Sequence, residues 1–102
     1  MRSQAIRDSA RGEYCTVNIA GVCSYDPETT VLAHLPDESH GMGKKSDDIS
    51  VCYACSACHD AIDLRVNSGE YIAHADFYLR RANIRTIRRL IQSGIISVKG
   101  LK

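Results

Sequence analysis

At 102 residues the chain has room for one domain and not comfortably for two. Its composition, 44% hydrophobic and 25% charged, is that of a globular protein, and no apolar run approaches the about 20 residues of a membrane span. The net charge of +1 conceals a division: residues 13–76 carry eleven acidic side chains against three basic ones (Lys44, Lys45, Arg65), whereas residues 77–102 carry seven basic ones and no acid.

Residues 1–12 read as an exposed basic lead-in with at most a helical turn. The opening MRSQAIRDSARGEY lacks the apolar stretch of a secretory leader, so a reducing cytoplasm is the expected compartment. YCTVNIA (14–20) alternates and is partly β-branched, which predicts a strand. Gly21 and SYDPE then supply turns. TVLAHL (30–35) predicts a second short strand with His34 near its end. PDESHGMGKKSDD (36–48) is polar with two glycines and predicts a loop, and ISVCYA (49–54) predicts a third strand. CSACHDAIDLRVN (55–67) reads as a turn leading into a helix that Ser68-Gly69 closes. From Glu70 to Ser93 the pattern is one helix, or two broken near Asn83. Ile84, Ile87 and Ile91 share a stripe with Leu90 beside it, and Arg81, Arg85, Arg88 and Gln92 lie opposite. Gly94 ends the helix, and IISV adds a short edge strand.

A domain this small often needs a staple, and five cysteines in a reducing compartment favour a metal over disulfides. Cys55-Ser56-Ala57-Cys58 is a C-x-x-C, whose tight turn lets two thiolates reach one tetrahedral ion at about 2.3 Å. Cys15 and Cys23, around a strand and turn, supply a second pair, so the expected structural zinc has the ligands Cys15, Cys23, Cys55 and Cys58. Cys52, left over among apolar neighbours, reads as a small buried hydrophobe.

Two further features adjoin this knuckle. His34 closes the second strand, and an imidazole can take a proton from water near neutral pH. His59 and Asp63, at i and i+4, project from one helical face and can together bind a divalent ion. Lys44, Lys45 and the Arg81, Arg85, Arg88 stripe suit phosphate contact without base-specific reading.

The hairpin ending in Ala33-His34-Leu35, followed by a loop, a strand and Cys55-x-x-Cys58-His59 opening a helix, resembles the HNH, or ββα-metal, endonucleases. ARGEYCTVNIAGVC (10–23), PETTVLAHL (27–35) and ACSACHDAID (54–63) are similar to the prophage-encoded YbcO-type nuclease family over roughly two thirds of the chain. GMGKKSDD (41–48) resembles the G-M-G-x-K-P-x-D loop of related phage nucleases. The resemblance implies a small α+β fold, a zinc-stapled ββα-metal core over about 14–68 with flanking helices, the basic segment 70–102 included, all in one domain over 1–102. It implies His34 as general base and His59 and Asp63 as ligands of Mg²⁺ or another divalent ion. The third ligand stays open among Asp48, His40 and Asp60. Ala33 stands where the family often has a ligand, the middle Asn is missing, with Asp48 nearest to it, and Ser46 replaces the loop Pro. The expected function is metal-dependent hydrolysis of phosphodiester bonds, in DNA before RNA, with a homodimer as one arrangement for cutting both strands. The alternatives are a non-catalytic zinc-finger DNA-binding module and a phage recombination accessory protein.

Overall fold

The computed structural model describes residues 2–35 and 47–101. In chain order the elements are α1 (Gln4–Asp8), a 3-10 turn (Pro27–Thr29), β1 (Val31–His34), β2 (Val51–Ala54), α2 (Ser56–Ile62) and α3 (Gly69–Gln92). β1 and β2 form an antiparallel pair with Val31 opposite Ala54, Leu32 opposite Tyr53, Ala33 opposite Cys52 and His34 opposite Val51.

Opposed residues share a face, and successive residues alternate. Ala33, Cys52 and Ala54 therefore lie together, and they bury against Cys58 and Ala61 of α2 and against Cys15, Val17 and Ile19. Leu32 and Val51 lie on the other face and pack with Ile6 of α1 and with Ile87 and Leu90 of α3. The lead-in is thus part of the core: Ser3 caps α1 and Ile6 is buried, because that face of the hairpin needs an apolar cover.

The free edge of β2 is satisfied by side chains. Asn83 Nδ2 donates to the carbonyls of Ile49 and Val51 at 3.1 and 2.9 Å. Tyr53 N–H donates to the hydroxyls of Thr16 and Thr86 at 3.1 and 3.2 Å, and those hydroxyls are 2.9 Å apart. An unpaired edge would leave backbone donors and acceptors buried without partners, so these residues complete the sheet.

This arrangement corrects several expectations. Residues 14–20 are not a strand. Thr16 N–H does reach Tyr53 O at 2.8 Å, but Asn18 adopts φ +51° and turns the chain into the cysteine loop. Ser68 does not close α2. It caps α3 by accepting from Tyr71 N–H, while α2 ends where Leu64 turns left-handed at φ +60°. The kink in α3 is at His74, not near Asn83, which is kept helical by its two bonds to the hairpin. The buried stripe of α3 is Tyr78, Ala82, Thr86 and Leu90, and Ile84 is exposed. Small Ala82 and hydrogen-bonded Thr86 let the helix approach β2 closely, which bulkier isoleucines would prevent. Gly94, at φ +82°, does end the helix, and Ile95 and Ile96 donate back to Leu90 O instead of forming an edge strand.

Candidate functional site

The sulfurs of Cys15, Cys23, Cys55 and Cys58 all lie within 4.8 Å of one another. Four thiolates at about 2.3 Å from a tetrahedral zinc stand about 3.8 Å apart, and the Cys23 and Cys55 sulfurs are separated by 3.8 Å. The donor set and spacing therefore fit a metal such as zinc. The local chain supports it: Cys58 N–H donates to Cys55 Sγ at 3.4 Å, and Asn18 N–H donates to Cys15 Sγ at 3.5 Å, so both turns place an amide three residues on against the first sulfur. Asn18 Nδ2 donates to Cys23 Sγ at 3.5 Å and Ser24 N–H to Cys55 Sγ at 3.4 Å, bonds that orient the sulfurs and offset thiolate charge. The Cys15 thiol is lowered to about 5, chiefly by the hydrogen bond from Cys58, and Cys58 is pushed up by that bond and by burial. Sulfurs so close cannot all ionise without a cation among them. Cys52 stands apart from the four, fully buried, its thiol pushed up to about 12 by burial, in keeping with a packing role.

The loop carrying Cys15 is clamped from α3. Arg81 donates to Val17 O at 2.8 Å, Arg85 to Asn18 Oδ1 at 3.0 Å, and Arg89 to Glu13 Oε1 at 2.6 Å. Arg81 and Arg85, expected on a phosphate-facing stripe, thus also brace the cysteine loop. Arg88 is exposed and has no acidic partner among the described residues. Lys44, Lys45 and His40 lie outside the described residues.

His34 is held by a buried carboxylate. Its Nε2 lies 2.9 Å from Asp48 Oδ1, and Asp48 Oδ2 accepts from Ser3 N–H at 2.6 Å and Arg7 Nε at 3.0 Å. Burial alone would push the Asp48 carboxyl up. The hydrogen bonds from His34, Ser3 and Arg7, with the Arg7 charge, instead hold it well below the usual carboxylate range. Asp48 carries no exposed surface, whereas the His34 side chain is 34% exposed. If Nε2 carries the proton toward Asp48, Nδ1 is left with a lone pair free for another group.

His59 and Asp63 form a second pair on α2, with Nε2 3.2 Å from Asp63 Oδ2. Asp63 also receives Arg65 at 3.0 Å, and Asp60 receives the same arginine at 2.9 Å. The two histidine pairs do not share one cluster of ligand atoms among the described residues. His34 lies on the α1 side of the hairpin with Val51, while α2 packs on the face of Ala33 and Cys52. Asp48 is turned toward His34 and Asp60 toward Arg65, so neither joins His59 and Asp63. Among the described residues, the four cysteines are the one group of three or more such side chains close enough to share an ion. His74 is exposed at the α3 kink.

Sequence reasoning missed three parts of this arrangement. Arg7 and Ser3, more than 40 positions from Asp48, left no local signal. Asn18 was legible in principle, since a C-x-x-N turn can aim an amide at the first sulfur as C-x-x-C does. The bracing role of the α3 arginines follows from contacts across 64 to 76 positions.

Two relatives, each named "Putative nuclease YbcO", from Escherichia coli strain K12 and Enterobacteria phage 82, are each 49% identical over 63 residues, 61% of this chain. The match spans 66% of the length of those relatives. A solved structure titled "Structure of a putative bacteriophage protein from Escherichia coli str. K-12 substr. MG1655" aligns with a TM-score of 0.66 and 38% identity, over 88% of this chain and 100% of that one. The family described as "Putative nuclease YbcO" matches residues 4–95, and this chain belongs to it.

Proposed function

We propose that the chain hydrolyses phosphodiester bonds in nucleic acid, DNA in preference to RNA, as a zinc-stapled nuclease of the HNH, or ββα-metal, kind, residues 1–102 acting as one unit. The observation that carries this reading is the pairing of half-exposed His34 with buried Asp48 at 2.9 Å. The carboxylate holds the ring by one nitrogen and balances the positive charge that forms when the other nitrogen takes a proton from water. Zinc on Cys15, Cys23, Cys55 and Cys58 is structural in this reading, because four thiolates leave no open position.

Of the described residues, His59 and Asp63 are the pair suited to hold a divalent ion such as Mg²⁺, with Asp63 giving up its contact to Arg65. Bound there, the ion would supply charge stabilisation to the phosphate. Among the described residues these two side chains do not gather into one cluster with His34 and Asp48, so in this reading the phosphate itself bridges the two pairs. Arg88, with Arg81 and Arg85 behind it, and Lys44 and Lys45 would contact backbone phosphates. A cytoplasmic protein acting as a pair of copies would cut both strands. Among the described residues no helix is long and apolar enough to cross a membrane.

Plasmid nicking with added Mg²⁺ or Mn²⁺ tests the reading. His34→Ala is expected to lose about 10²–10⁴-fold in rate, the usual contribution of a general base. Nicking that survives His34→Ala undiminished in a folded protein refutes the role of His34. Among the described residues no third ligand stands beside His59 and Asp63, which favours a second reading, a non-catalytic zinc module that binds DNA. Salt-dependent binding with no divalent-dependent nicking would select it.

A further inference from the structure

The side of α3 turned away from the core carries two exposed apolar side chains, Phe77 and Ile84, that neither the knuckle nor the histidines use. Phe77, Arg81, Ile84 and Arg88 follow one another at i, i+4, i+7 and i+11, and with Arg80 and Arg85 they line an open cleft of about 390 Å³. Phe77 is 57% exposed and Ile84 53%, an unusual cost for two large apolar groups on one helix face. Among the described residues no carboxylate lines the cleft. Arg80 and Arg88 have no acidic partner among the described residues.

The Phe77 ring is also positioned. The Arg81 guanidinium lies 4.9 Å from its centroid, and Tyr78 meets it edge-on at 5.6 Å. Arg81 is in turn fixed to Val17 O in the cysteine loop. A ring held in this way, exposed, and surrounded by cations is a stacking platform beside a polyanion track.

We infer that this cleft binds single-stranded nucleic acid, an unpaired base stacking on Phe77 and the flanking phosphates lying along Arg80 and Arg88. The occupant follows from charge and chemistry together. Four arginines without an acid select a polyanion, and an exposed aromatic with Ile84 beside it selects one that displays unpaired bases. A duplex keeps its bases stacked inside, so it would meet the arginines and leave Phe77 unused. The inference rests on the nucleic-acid reading above and deepens it, but it does not require cleavage. It implies that the preferred substrate has single-stranded character.

The test is fluorescence anisotropy with the zinc-loaded chain and no added divalent ion, comparing a labelled 20-mer of dT with a duplex of equal length. The wild type is expected to bind the single strand more tightly. Phe77→Ala is expected to weaken single-strand binding roughly tenfold or more while leaving the duplex and the salt slope unchanged. Phe77→Trp should restore it. Arg88→Gln should lower the salt slope by about one for both ligands. Because Phe77 is exposed, an unchanged thermal melt will show that the variant is folded. Duplex preferred, or affinity indifferent to Phe77, overturns the inference while leaving the nucleic-acid reading intact. No salt-dependent binding to either ligand overturns that reading itself. A self-association lost in Phe77→Ala, with oligonucleotide affinity unchanged, assigns the face to a second copy and also overturns the inference.

Discussion

Replacing Asp48 by asparagine removes one negative charge from the buried junction of α1, the hairpin end and His34 while keeping the shape of the side chain. Three donors converge on this carboxylate: Ser3 N–H, Arg7 Nε and His34 Nε2. Hydrogen bonds to charged groups contribute about 1.5–3 kcal/mol each, and the amide leaves an NH₂ facing a donor. Arg7 and His34 are each 34% exposed, so water relieves part of the loss. The expected cost is about 2–4 kcal/mol, a large share of the 5–15 kcal/mol that typically holds a domain together.

Acid dependence separates this charge from simple packing. The folded-state carboxyl is held below its ordinary value of 3.8. The unfolded chain therefore binds the proton first as pH falls. The stability from Asp48 is complete above the ordinary carboxylate range and is lost as pH drops toward the folded value. Urea unfolding between about pH 5 and pH 2 should show wild-type stability falling with a limiting slope of about 1.4 kcal/mol per pH unit from this group. Asp48→Asn should be flatter by that one proton. Equal slopes in the two proteins, or a cost under about 0.5 kcal/mol at neutral pH, would refute the buried ionised carboxylate.

Metal analysis of the purified chain should give one zinc, and Cys58→Ser should reduce both zinc content and cooperative unfolding. Acidification should release the metal as thiols are reprotonated, read by a chromogenic chelator. Thr86→Val removes the hydroxyl shared by Thr16 and Tyr53 N–H, and should cost about 1–2 kcal/mol in urea unfolding with little change in zinc content. His59→Ala should leave the thermal melt near wild type, since the imidazole bonds to half-exposed Asp63 at the surface. If His59 holds the divalent ion, the nicking rate of this variant should recover in part at higher Mg²⁺. A loss that no Mg²⁺ concentration relieves would count against that role.

The knuckle was legible because its signal is local. C-x-x-C fixes two sulfurs in one turn, and few other residues could complete a tetrahedron in a chain with five cysteines. The hairpin was legible in Val31–His34 and Val51–Ala54 for a similar reason, since short apolar runs ended by polar stretches leave little choice. The core-facing side of α3 was not. Hydrophobicity points to Ile84, yet close approach to β2 selects Ala82 and Thr86, and the preference for Thr86 exists only because Thr16 and Tyr53 are there to bond it.

The same reasoning explains why a single compact centre was expected from the sequence. Periodicity places His59 and Asp63 on one side of α2 and His34 at the end of β1, but it does not say which face of the hairpin α2 covers. That choice is made by Cys58, whose sulfur must reach Cys15 and Cys23, and by Ala61, small enough to sit against Cys52 and Ala33. Once α2 covers the Ala33 face, strand alternation commits His34 to the other, where Asp48 and Arg7 meet it. The knuckle therefore decides more than stability: by fixing the side on which α2 packs, it determines which groups can reach the imidazole. A variant that loses zinc should thus lose the His59-dependent part of any activity first. The His34–Asp48 pair, held from α1, should be the last part of the site to be disturbed.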